Sequence, residues 1–177
     1  MVRILLAALL LTACSVEAKE DGVGKAQLAP STAVAQDYGA IAFEIKSWGH
    51  VIRGWNVSAD GTVRHVKIDG SPFADHRVEH REFAVDAAAY ARLAALAAAL
   101  PSPRLDRNQC EERATDLPYG TLHLSRGKQQ EEIAFDSGCL DAPYQAFMDQ
   151  LMGMDELVGG WVGQRPADSV EEVSGRS

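Results

Sequence analysis

The most suggestive run of chemistry-bearing side chains is Asp75-His76-Arg77-Val78-Glu79-His80. On a helix, His76 and His80 would share one face at a spacing that can hold Zn²⁺, with Asp75 or Glu79 as a further ligand or base. In an extended segment, which Val78 and Phe83 favour, His76, Val78 and His80 share a face and an ion needs a third ligand from elsewhere. Charges on a solvated loop or strand edge need no ion at all. A second candidate is Asp116, a general base if it lies buried near His123 on the following strand. The same Thr115-Asp116-Leu117-Pro118 step is also ordinary turn chemistry, in which the Asp caps its own backbone. Trp48, Trp55 and Trp161 could build an aromatic binding surface, but with only five Phe in the chain at least two of them are needed in the core.

None of these sets completes a catalytic centre. There is no G-x-S-x-G, no H-E-x-x-H and no Walker-type glycine loop in the 177 residues. No cofactor is therefore expected. The formal charge of −8 makes nucleic acid and anionic lipid poor partners.

The elements that must position these residues begin with strand signals. Ile41, Phe43 and Ile45 alternate with Ala42, Glu44 and Lys46, the period of a half-buried strand. A run over Val51–Ser58 follows, and Ala59-Asp60-Gly61 supplies a tight turn into Thr62–Ile68, giving a three-strand meander. Asp86 is a good N-cap for an Ala-rich helix that Pro101 stops, with Tyr90, Leu93, Ala94, Ala97 and Leu100 on one face. Thr121–Leu124 and Glu132–Phe135 form a second hairpin through Arg126-Gly127. Asp141 can cap a second helix presenting Tyr144, Phe147 and Leu151. The fold class is α+β: an antiparallel sheet with two helices on one face, in the order strands, helix, strands, helix.

The ends set the boundaries and the compartment. Residues 1–13 carry one charge at Arg3, an apolar run from Ile4 to Leu11, then small residues before Cys14, which is a secretory signal too short to span a bilayer. Leu11-Thr12-Ala13-Cys14 resembles the lipobox of bacterial lipoproteins. The resemblance implies cleavage before Cys14 and anchoring by acyl chains on that residue, palmitate among them. Two or three chains hold a protein on a membrane without any transmembrane helix. Ser15 resembles the sorting signal for the outer membrane, which implies a domain facing the periplasm. Residues 14–37 read as a flexible tether, 38–163 as a single domain, and 164–177 as a disordered tail, because both flanks are small, polar and poor in aromatics. In an oxidising envelope the remaining pair, Cys110 and Cys139, is most simply a disulfide joining the two strand and helix units. Free thiols or half a metal site are the alternatives.

Four further features resemble a family of uncharacterised bacterial lipoprotein domains: Ala59-Asp60-Gly61-Thr62-Val63, Thr115-Asp116-Leu117-Pro118, Cys139 after the second hairpin, and a final Trp161. Where that family carries a Cys-rich stretch at the first hairpin, this chain has Ser47-Trp48-Gly49-His50. The family implies no activity. Two functions stand open: a non-enzymatic, lipid-anchored module that binds an envelope protein, glycan or peptidoglycan fragment or serves a structural role, with Asn108–Asp116 as a possible inhibitory loop, or a metal-dependent or acid/base hydrolase using His76, His80 and Asp116.

Overall fold

The computed structural model describes residues 37–102 and 104–175. The leader, the lipobox with Cys14, Ser15 and most of the expected tether lie outside the described residues. No helix among the described residues is long and apolar enough to cross a membrane.

Seven strands form one antiparallel sheet: β1 (Ala40–Ser47), β2 (His50–Ser58), β3 (Thr62–Asp69), β4 (His76–Ala84), β5 (Tyr119–Arg126), β6 (Gln129–Asp136) and β7 (Ser169–Val173). Their order across the sheet is β6-β5-β1-β2-β3-β4-β7. Two helices, α1 (Ala87–Ala99) and α2 (Ala142–Val162), complete an α+β fold.

Each element follows from local chemistry. In β1, Ile41, Phe43 and Ile45 are buried and their neighbours are not. The β2–β3 turn is tied by the Asp60 carboxylate, which accepts from the Thr62 amide at 2.9 Å. Asp86 caps α1 by accepting from the Ala89 amide, and the expected face packs inward, with Leu93, Ala97 and Leu100 buried. Tyr144, Phe147 and Leu151 of α2 join the same core as Phe43 and Leu122.

One glycine matters to the packing. A Cβ at Gly120 of β5 would come within 2.0 Å of the Glu44 carbonyl and 2.5 Å of the Phe135 ring. With no side chain there, Phe135 of β6 reaches across β5 to stack on Phe43 at 5.2 Å, and Phe43 stacks in turn on Trp55 at 5.5 Å.

Three expectations need correction. The meander has a fourth strand, β4, which pairs with β3 from Thr62↔Ala84 to Asp69↔Arg77. The two strand and helix units are not separate, since β5 pairs with β1 from Ala40↔Ser125 to Lys46↔Tyr119 and makes the sheet continuous. The segment 164–177, expected to be disordered, contains β7, which pairs with β4 from His76↔Val173 to His80↔Ser169. Its first four side chains are exposed, so it lacks the alternating burial that marks a strand in sequence. Backbone pairing makes it, helped by the Asp168 carboxylate on the Glu82 amide and the Asp75 carboxylate on the Gly175 amide.

Candidate functional site

His76 and His80 both lie on β4, so the helical spacing that would gather them on an ion does not exist. Four residues of strand place them roughly 13 Å apart. His76 Nδ1 bonds the Ala74 carbonyl oxygen at 2.8 Å. His80 instead borders a broad hollow of about 590 Å³ on the sheet face of Ala42, Gly54 and Val66, with His123 and Glu44 also at its margin. The only group of three or more His, Cys, Asp or Glu side chains close enough to share an ion among the described residues is Cys110, Cys139 and Asp141, and its two sulfurs are bonded to each other.

Asp116 and His123 do not converge either. His123 Nδ1 lies 3.9 Å from Glu132, across the β5–β6 pair, whereas Asp116 is exposed in the loop before β5 and lines a different hollow.

The disulfide forms as expected, with Cα atoms 5.7 Å apart across 29 residues of sequence. It does not bridge a gap in the sheet; it fastens the loop after α1 to the connection between β6 and α2. Asp141 has a second role there. It stands at the N-cap position of α2 but makes no side-chain cap. Its carboxylate accepts instead from the Glu111 and Glu112 amides at 2.9 and 3.0 Å, which holds its pKa below the ordinary range. The Asn108–Asp116 loop is thus pinned at its middle.

A buried polar cluster had no clear sequence signal. Asp155, inside the apolar stripe of α2, accepts from Trp55 Nε1 at 3.0 Å and from both Arg53 Nε and Nη2. Trp55 pairs directly with His65 of β3. His65 is 5% exposed and its Nδ1 has no hydrogen-bond partner. Burial, then the Arg81 and Arg53 cations, push its pKa down to about 4, so the ring is neutral near pH 7. The cluster locks α2 to β2 and offers no open reactive atom.

The strained backbone lies elsewhere. Among the described residues two non-glycines have positive φ, Trp48 at 50° and Asp116 at 65°. Both line one hollow of about 510 Å³, with Gly49, Leu117 and Tyr119. Trp48 and Gly49 (φ 86°) are the two-residue turn between paired Ser47 and His50, the arrangement for which Asn-Gly is the usual choice. A bulky side chain at the first turn position costs about 1 kcal/mol or more. Trp48 is nonetheless 66% exposed, so its ring gains little burial in return. Asp tolerates this conformation better.

Nearby side chains extend the same end. Leu117 is 44% and Phe73 57% exposed, and the Phe73 ring meets the His50 ring edge-on at 5.0 Å. Trp55 and Trp161, by contrast, pack in or against the core. Of the three tryptophans, only Trp48 is left for a surface. Comparison of the chain with protein-family models and with curated proteins finds no match.

Proposed function

We propose that this is a lipid-anchored lipoprotein of the bacterial envelope, held by acyl chains on Cys14, whose domain is a non-enzymatic binding module facing the periplasm from the outer membrane. Both helices cover the sheet face of Ile41 and Phe43, a reading supported by the Arg53 and Trp55 bonds to Asp155 on α2 and by the Tyr90 hydroxyl on the Tyr38 carbonyl. The face of Ala42, Gly54 and Val66 then remains open.

The observation that carries the binding role is the strained, exposed Trp48 turn. Native backbone strain persists where surrounding structure enforces it, and it concentrates at sites that act on something. The direction of β1 adds to this. The chain enters the domain at Tyr38 and runs roughly 25 Å along β1 before it reaches Trp48, so the Trp48 turn and the point of entry lie at opposite ends of that strand.

Palmitate labelling and membrane fractionation test the anchor. Wild-type protein should take up label and sediment with membranes, and Cys14→Ser should do neither. Label retained on the variant would refute the reading.

A further inference from the structure

We infer that the hollow at the Trp48 turn is a saccharide subsite, which takes an uncharged pyranose chain across the Trp48 ring with the Asp116 carboxylate accepting from its hydroxyl or amide groups. The inference rests on the binding-module reading and names the ligand class for it.

The donors and acceptors on the walls define what fits. The Asp116 carboxylate receives one hydrogen bond, a long one of 3.5 Å from the Thr115 hydroxyl, although an ionised carboxylate can accept about four. Tyr119, which interacts electrostatically with the Lys46 ammonium, also lines the hollow. A ligand must therefore bring several donors at once. The remaining surface is the Trp48 ring and the Leu117 side chain, so the ligand must also bring apolar area. A pyranose ring does both, with a flat C–H face and a rim of hydroxyls.

Other occupants fit less well. A lone cation could meet Trp48 and Asp116, but exposed cation–π contacts and exposed ion pairs are too weak to hold one. A protein partner would bury the Asp116 carboxylate, and interface cores are depleted of such charges. A bilayer would meet a concave surface with that carboxylate inside it, in a chain of net charge −8.

The test is a fluorescence titration of the full-length protein in detergent with chitotetraose, cellotetraose and maltotetraose. Trp55 is buried and Trp161 partly covered, so an exposed Trp48 dominates any ligand-induced blue shift. At least one sugar should give a saturable shift with Kd between micromolar and low millimolar. Calorimetry, which does not depend on the Trp48 signal, should show that Trp48→Ala and Asp116→Asn each weaken binding at least tenfold. Raising salt from about 50 to 500 mM should change Kd less than twofold, since no ion pair is involved.

Absence of binding to all three sugars, or binding unchanged by both substitutions, would overturn the inference. So would Trp48-dependent co-sedimentation of the Cys14→Ser protein with phosphatidylcholine vesicles, which would make the surface a membrane contact. Failure of the two readings is separable. Palmitate uptake without sugar binding rejects the subsite alone, and sugar binding without palmitate uptake rejects the anchor alone.

Discussion

Tyr38 and Trp48 bracket the same strand and are treated in opposite ways. Tyr38, just before β1, is 1% exposed; its hydroxyl accepts from Arg126 at 2.7 Å, the Arg126 guanidinium lies 4.5 Å over its ring, and its carbonyl accepts from the Tyr90 hydroxyl. Trp48, just after β1, is mostly exposed on a strained turn, with no such partners among the described residues. A chain able to bury one large aromatic this fully does not lack the means to bury another. The difference teaches that one end of β1 is closed by a buried aromatic, while the other carries an exposed aromatic at a local backbone cost.

The largest effect should come from the closed end. Tyr38→Ala removes a fully buried ring together with its Arg126 contacts, and should lower unfolding free energy by about 4 kcal/mol in urea titrations. A loss below about 1 kcal/mol would erase the contrast between the two ends.

Reduction of Cys110–Cys139 comes next. In the chain-entropy description, opening a loop of this length costs about 3 kcal/mol, enough to lower Tm by several degrees. Asp116 ends the loop that the bridge fastens, but the Ala114 amide on the Gly138 carbonyl, the Leu140 amide on the Glu112 carbonyl and the Asp141 carboxylate on the Glu111 and Glu112 amides also hold that loop, so sugar binding measured below the new Tm should survive reduction. Loss of binding in a still-folded reduced protein would mean that the two regions are not independent.

The buried cluster gives a pH signature of similar or smaller size. Free His titrates near ~6.5, while His65 in the fold is pushed down to about 4, chiefly by burial. Between those values only the unfolded chain takes up the proton. Stability from this group is therefore complete above about pH 6.5 and falls as pH drops toward 4, by about 2–3 kcal/mol. Urea titrations at pH 7 and 4.5 should show that His65→Gln reduces the pH-dependent loss by about 2 kcal/mol. An unchanged loss would remove His65 from the account of acid sensitivity.

Much of this was legible in the sequence where burial leaves a period. The alternation of Ile41, Phe43 and Ile45, the Asp86 cap, the inward face of α1 and the Tyr144, Phe147 and Leu151 stripe are all imprints of a core on one side of an element. The Cys110–Cys139 pair was legible from the even number of cysteines left after Cys14. β7 was not, because a strand added to an edge by backbone bonds alone imposes no pattern on its side chains. Asp155 was not, because one carboxylate in an apolar helix stripe acquires its meaning only when Arg53 and Trp55 arrive from a strand about 100 residues earlier. His76 and His80 could be read as helix or strand, and pairing with β3 and β7 decides for the strand. The Trp48 strain was hidden because residue type alone does not report φ.

The smallest expected effect in magnitude is the most direct test, because its sign matters. Trp48→Asn places at the turn the residue that tolerates positive φ, and removes little buried surface because Trp48 is 66% exposed. If Trp48 is kept for a ligand and not for the fold, urea unfolding should show the variant as stable as wild type or more stable by about 1 kcal/mol. A loss of more than about 1 kcal/mol would show that the exposed ring supports the fold, and would contradict the claim that this end of the sheet is held open for binding.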